Sequence, residues 1–380
     1  MDANATSNFS SLLLLLLLSL LSTASTSMHG FIDDPLIQQV VSSSDGRDDL
    51  LMSAEHQFSE FKKEYGKSYP TQEEEDYRFG VFISNLRLAR RNQILDPSAV
   101  HGVTKFSDLT PSEFRRQYLG SGRQMQLPKD IIISKAPILS TDDVPNTLNW
   151  TNMGAVTSVK DQGICNSCWA FSTIAVLEGA HFKANNELLE LSAQQLIDCS
   201  TDTCDSTDEK KGSKKCNKGC KGGYREVAFK YIKDYAGGVM KADDYSSAEK
   251  DNKKCFKKSD NDERSVASVK EYSKIEANVD QYASYLYHHG PLAVKTDLEY
   301  DQTYKGGPIC HHKKHPGNVA HAVTLVGYDE SHWIVKNSYG ENWGDRGYFT
   351  VCKNVLTNDG TWDPDAIYAD AVAKNKKIDF

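Results

Sequence analysis

Gln162-Gly163-Ile164-Cys165-Asn166-Ser167-Cys168-Trp169-Ala170-Phe171-Ser172 is the stretch on which the reading of this 380-residue chain turns. Taken bare, its Cys-x-x-Cys has three readings: a redox pair, half of a zinc site, or a structural thiol beside a nucleophile. A thioredoxin-type pair carries its Trp before the first cysteine, whereas Trp169 follows the second. Zinc needs a second ligand pair; Cys216-x3-Cys220 offers one, but an oxidising compartment favours disulfides over thiolate ligands. Beyond Cys168 the spacing of Phe171, Ile174, Ala175, Leu177 and Glu178 predicts a helix through Lys183. Cys168 then stands at a helix N-terminus, where the dipole favours a thiolate.

Working outward, Asn318-Val319-Ala320-His321-Ala322-Val323-Thr324-Leu325-Val326-Gly327-Tyr328 places a histidine at the mouth of an apolar strand. Trp333-Ile334-Val335-Lys336-Asn337-Ser338-Tyr339-Gly340, followed by Trp343-Gly344, reads as a second strand ending in a turn. A lone histidine beside a strand is more often structural than catalytic. A Cys, a His and an Asn in this order and in these contexts reverse that balance. All nine cysteines fall between Cys165 and Cys352, so the chain is two things compositionally. Hydrophobic content of 39% and charged content of 25% exclude a disordered or polytopic membrane chain. A net charge of −8 gives a nucleic-acid partner no electrostatic support. Leu12 to Leu21 is leucine but for Ser19, too short to span a bilayer and the right length for a signal-peptide core. Small residues Ser22 to Ser27 follow, so residues 1–27 read as a signal peptide on a secretory-pathway protein with no membrane anchor.

Within the cysteine-free part, Glu74, Arg78, Phe82, Asn85, Ala89 and Gln93 keep to one stripe of a helix. Their identities resemble the propeptide signature of papain-like cysteine proteases, in the variant of the cathepsin F-like group. Gly102-x-Thr104-x-Phe106-x-Asp108 resembles the second propeptide motif of that family, and the Cys168, His321 and Asn337 contexts resemble its catalytic triad. The resemblance runs over nearly the whole chain. It implies an α+β fold in two subdomains, a helical left half and a β-barrel-like right half with a cleft between. Ahead of it stands an inhibitory propeptide, residues 28–141, helical over about 53–120 with a linker over 121–141. The mature peptidase would span 142–380.

The resemblance further implies a secreted zymogen of a cysteine endopeptidase, activated by propeptide removal in acid, needing no cofactor or metal. Cys168 is the implied nucleophile, His321 its acid–base partner, Asn337 the residue that orients the ring, and Gln162 with the Cys168 N–H the oxyanion donors. Disulfides Cys165–Cys220, Cys199–Cys255, Cys204–Cys216 and Cys310–Cys352 are implied. Gly222, Gly223, Tyr224, Arg225, Lys295, Val319, Ala320 and Trp343 are the implied substrate-binding positions. Implied partners are protein or peptide substrates, the chain's own propeptide and cystatin-type inhibitors of a monomer in a vacuole, a lysosome or the extracellular space. The sequence departs from the family at Asn166 (usually Gly), at Tyr339 (usually Trp) and after Cys352. The first two motivate a competing reading, a catalytically silent relative that binds or inhibits. Arg225 and Lys295 replace apolar residues, so the S2 subsite is expected to be basic unless both stems turn to solvent. Asn149-Trp150-Thr151 is a glycosylation sequon, and His311, His312 and His315 read as an exposed loop rather than a metal site.

Overall fold

The structure is a computed structural model that describes residues 45–119, 131–201, 217–245, 255, 264–276, 278–296, 302–311, 321–353, 355 and 366–373. The expected signal peptide, residues 120–130, Cys204, Cys216, Val319, Ala320, His312 and His315 lie outside the described residues. The chain divides into two compact units between Tyr69 and Pro70. The first contains helix α1 (Asp45–Glu64), along which Phe58 stacks on Phe61 at 6.0 Å and on Tyr69 at 6.1 Å.

The second unit opens with helix α2 (Gln72–Leu95), started by Thr71, whose hydroxyl accepts from the Glu74 N–H at 3.2 Å. Glu73, Glu74 and Glu75 in its first turn suit the positive end of the helix dipole. The 3–4 spacing buries Phe82, Asn85, Ala89 and Asn92 on one face. The expectation of helix from 53 to 120 fails over 65–71 and again over 96–110. There the chain turns into strand β1 (Val100–His101) and a loop built on Thr104 and Phe106. The physical reason is side-chain capture of the backbone. Asn85 Nδ2 donates to the carbonyls of Ser107 and Leu109, both at 2.8 Å, and Thr104 Oγ1 donates to the Gln302 carbonyl at 2.6 Å. Helix resumes at α3 (Pro111–Phe114) with a Thr110–Glu113 capping box and Pro111 in its first turn. It runs into a π-helical turn, Arg115–Leu119.

The remainder contributes α4 (Cys168–Asn185), α5 (Ala193–Cys199), α6 (Arg225–Lys230) and α7 (Val279–His289). Its strands are β2 (Leu148–Asn149), β3 (Val239–Met240), β4 (Ser265–Ile275), β5 (Leu292–Thr296), β6 (Tyr304–Gly306), β7 (Pro308–Ile309), β8 (His321–Tyr328), β9 (His332–Lys336), β10 (Tyr348–Cys352) and β11 (Ala366–Ala373). One sheet runs β3-β4-β11-β5-β8-β9-β10-β7, with β2 pairing to β8. Strand alternation makes this sheet a partition between two cores. Along β11, Ile367, Ala369 and Ala371 face the core built around α4, while Ala366 and Tyr368 face the core built on β8, β9 and β10. β5 does the same, with Ala293 on one side and Leu292 and Val294 on the other. Helix α4 is apolar or small almost all round and is accordingly buried, packing on β8 and β11. The propeptide adds β1 to β6 as an antiparallel pair, and the Gly102 N–H donates to the Thr303 carbonyl at 2.9 Å.

Candidate active site

Cys168 is the first residue of α4, and His321 is the first of β8, in register with Thr296 on β5. Asn337 follows the last residue of β9. Packing α4 on β8 brings the Ala322 N–H onto the Cys168 sulfur, so the thiol lies beside the start of β8, where His321 stands. His321 Nε2 lies 2.7 Å from Asn337 Oδ1. The same oxygen accepts from the Ser338 N–H at 2.8 Å. Because a backbone N–H only donates, that amide atom is oxygen, and His321 must carry its proton on Nε2. Nδ1 is left as the basic nitrogen, buried and, among the described residues, without a hydrogen-bond partner.

Tyr339 stacks on the His321 ring at 4.8 Å and 20°, so the smaller aromatic still covers the His–Asn bond. Trp343, expected to meet substrate, is instead 1% exposed, standing edge-on beneath Tyr339 at 5.2 Å and supporting it. Gln162 is fully buried. Its Oε1 accepts from Ser338 Oγ at 2.6 Å, and its Nε2 donates to the Cys165 carbonyl at 2.9 Å and to the Tyr118 carbonyl at 3.0 Å. Asn166 Nδ2 donates to the Arg116 carbonyl at 3.0 Å. The π-helical turn of the propeptide thus lies on the loop that precedes Cys168. Phe106, Phe114 and Tyr118 close over Tyr339 with centroids 5.3, 6.1 and 5.8 Å from it, and Lys105 pairs with Asp161 at 2.5 Å.

This cover decides the ionisation. Burial pushes the Cys168 thiol up, against the pull of the Ala322, Trp169 and Cys168 N–H groups and the Arg225 cation. Burial also lowers the His321 imidazole to about 4, against the Asn337 bond. Burial thus opposes charge on both the thiol and the imidazole of the closed chain.

Cys165–Cys220 clamps the Gln162–Cys168 loop to the loop holding Gly222 and Gly223, and Cys199–Cys255 and Cys310–Cys352 are joined as well. Among the described residues the one cluster of metal-ligating type is Cys310, His332 and Cys352, whose two sulfurs are spent on each other. A Cβ on Gly223 would come within 2.6 Å of the Trp169 ring, so only glycine lets this loop approach α4. Tyr224 is buried against Val227 and Ile131 of the linker.

Arg225 does not turn to solvent. It is 1% exposed, donates to the Ala293 carbonyl at 2.6 Å and stands 3.8 Å from Glu226. Lys295, 28% exposed, is also 3.8 Å from that carboxylate, itself 2% exposed. The expectation of an uncompensated cation is corrected: two cations share one buried carboxylate, because burying either alone is costly.

Sequence reasoning passed over Ser338 and the pair behind Asn337. Thr157 Oγ1 donates to Glu178 Oε2 at 2.7 Å, and Lys336 Nζ donates to the Thr157 carbonyl at 2.9 Å. Burial pushes Glu178 up and Lys336 down to about 8, each opposed by the other's charge. A carboxylate inside an otherwise apolar helix was the available signal. His311 rests on the buried propeptide carboxylate of Asp96 at 3.3 Å.

The family model described as papain family cysteine protease matches residues 144–366, and that of the cathepsin propeptide inhibitor domain (I29) matches 58–114. Cysteine proteinase 15A of Pisum sativum is 46% identical over 332 residues, 84% of this chain and 87% of that protein. The probable cysteine protease RD19C of Arabidopsis thaliana is 47% identical over 337 residues, 85% of this chain and 86% of that protein. Procathepsin L 3 from the larval midgut of Tenebrio molitor superposes with a TM-score of 0.67 at 29% identity, over 83% of this chain and 98% of that one. A recombinant stem bromelain precursor gives the same TM-score, identity and coverage. The chain belongs to the papain family of cysteine endopeptidases and carries ahead of its peptidase domain the propeptide inhibitor domain of a zymogen.

Proposed function

We propose that this chain enters the secretory pathway as an inactive precursor and becomes, after propeptide removal in acid, an endopeptidase acting through Cys168, His321, Asn337 and Gln162. The observation that carries the reading is the Tyr118 carbonyl on Gln162 Nε2, a main-chain carbonyl held by the donor that would receive the scissile one. With the cover gone, water lowers the cost of charge, and the Cys168 proton passes to His321 Nδ1. The thiolate attacks the peptide carbonyl carbon, and the oxyanion is taken by Gln162 Nε2 and the Cys168 N–H at the start of α4. His321 Nδ1 gives its proton to the departing amine, leaving an acyl-enzyme. It then takes one from the water that hydrolyses the thioester. Asn337 holds the ring by its Nε2–H throughout without adding a negative charge.

The propeptide signature favours membership of the cathepsin F-like group. A monomer working in a vacuole, a lysosome or outside the cell, with cystatin-type inhibitors as partners, fits this reading. Mature residues would begin near Asp142 to Val144. Labelling the acid-treated protein with an epoxide-type thiol-protease inhibitor tests the main reading. One adduct on Cys168, with Cys165–Cys220 intact, is the expected result. No adduct overturns it in favour of a silent binding relative.

A further inference from the structure

We infer that Asn166 is a substrate-positioning residue of this protease: its side-chain amide grips a main-chain carbonyl of the bound peptide beside the one held by Gln162. The inference rests on the reading of Gln162 as an oxyanion donor and extends it. Two side-chain amides four residues apart, on one loop, hold the Arg116 and Tyr118 carbonyls of a single segment, the π-helical turn Arg115–Leu119. The loop that carries both donors is rigidly mounted. Asn166 N–H donates to the Cys220 carbonyl at 3.2 Å, Ser167 N–H to the Cys165 carbonyl at 2.7 Å, and the Cys165–Cys220 disulfide ties the loop down between them. A donor on a fixed loop has only its own side-chain rotamers left to order on binding, so most of its hydrogen bond is expressed in affinity. An amide N–H recognises a carbonyl whatever side chain it carries, so departure of Arg116 hands Nδ2 to the peptide that takes its place. Asn166 therefore serves twice, holding the precursor shut and then holding the substrate.

The test uses the full-length chain with Asn166→Gly and with Asn166→Asp, matured in acid. Active sites are counted by epoxide titration before kcat and KM are measured on a peptide amide. Asn166→Gly is expected to raise KM about 3- to 10-fold with kcat within about twofold, the signature of a contact made equally in ground and transition states. Asn166→Asp replaces the donor by an isosteric acceptor. Its KM relative to wild type should be raised above about pH 5 and fall back as the carboxyl gains a proton near pH 4 and donates again. Loss of shape or of loop stiffness would not follow that titration. An unchanged KM in the glycine variant, or a pH-independent ratio in the aspartate variant, overturns the inference. Wild-type protein with no titratable site would instead defeat the catalytic reading on which it rests.

Discussion

At the scale of single residues, the ranking of effects starts with Gln162. If Nε2 exchanges the Tyr118 carbonyl for the oxyanion, Gln162→Ala should lower kcat by about 10²–10³ at equal active-site titre. A loss below tenfold removes it from that role. His321, with His101 and His181 also lowered by burial, contributes to the response to acid. In the closed precursor the His321 ring is held down at about 4, chiefly by burial, against an ordinary value of 6.5. A histidine lowered in the closed form takes up its proton later than in the open one. The stability of the closed form is thus fully present above pH 6.5 and is lost as pH falls to about 4, a difference of about 3 kcal/mol. Glu113 acts elsewhere on the scale. Burial raises its carboxyl, but Arg78 and Thr110 together bring it below its ordinary 4.5, so its contribution disappears only as pH falls beneath that value. Imidazole should therefore trigger opening before carboxylates do. Denaturant melts of full-length Cys168→Ser, which cannot process itself, should weaken between pH 6.5 and 4. Stability that is flat down to pH 4.5 would assign the trigger to carboxylates alone.

At the scale of elements, the propeptide is fastened by side chains reaching from α2 to the segment after it. Arg78 spans 2.7 Å to Glu74, 2.9 Å to Glu113 and 3.0 Å to the Asp108 carbonyl, joining α2 to α3. Removing these bonds with Arg78→Ala should cost the precursor about 1–3 kcal/mol and move processing to higher pH, while the matured enzyme keeps its activity. The pH midpoint of conversion, followed on gels, measures this. An unshifted midpoint means that α2 and α3 are held by other contacts. The apolar stripe of α2 was legible because a 3–4 spacing declares itself locally. The interruption at 96–110 was not, because its partners Gln302, Thr303 and Cys310 lie about two hundred residues away and leave no local mark. Separations of 44 and 50 residues likewise hid the turn Arg115–Leu119, whose Tyr118 and Arg116 carbonyls meet Gln162 and Asn166. Arg225 misled for a related reason: only the fold reveals that its neighbour Glu226 is buried with it rather than solvated.

At the scale of the whole molecule, one sheet serves two cores, and the candidate catalytic pair straddles the join. Ile367 faces one core while Tyr368, next to it, faces the other. Ile367→Ala should cost about 2–5 kcal/mol, and the loss should appear in one cooperative transition of the peptidase domain. Circular dichroism and tryptophan fluorescence should melt together. Separate transitions would show that the halves hold themselves independently. The two-part architecture was expected from the resemblance; β11, with its short run of small and aromatic residues, did not announce from its own sequence that both of its faces are buried.

The pairing of β1 with β6 outlasts its usefulness. Maturation as proposed would carry β1 away and leave the margin of Tyr304 to Gly306, its partner in a two-stranded sheet, with amides and carbonyls that another strand had met. Main-chain pairing reads shape and spacing rather than side chains, so that margin is sticky toward any extended chain. Each activated molecule thus begins its working life with a seam open to foreign inhibitors and to its own kind. Crowding of freshly activated enzyme, rather than of precursor, is where self-association should set in.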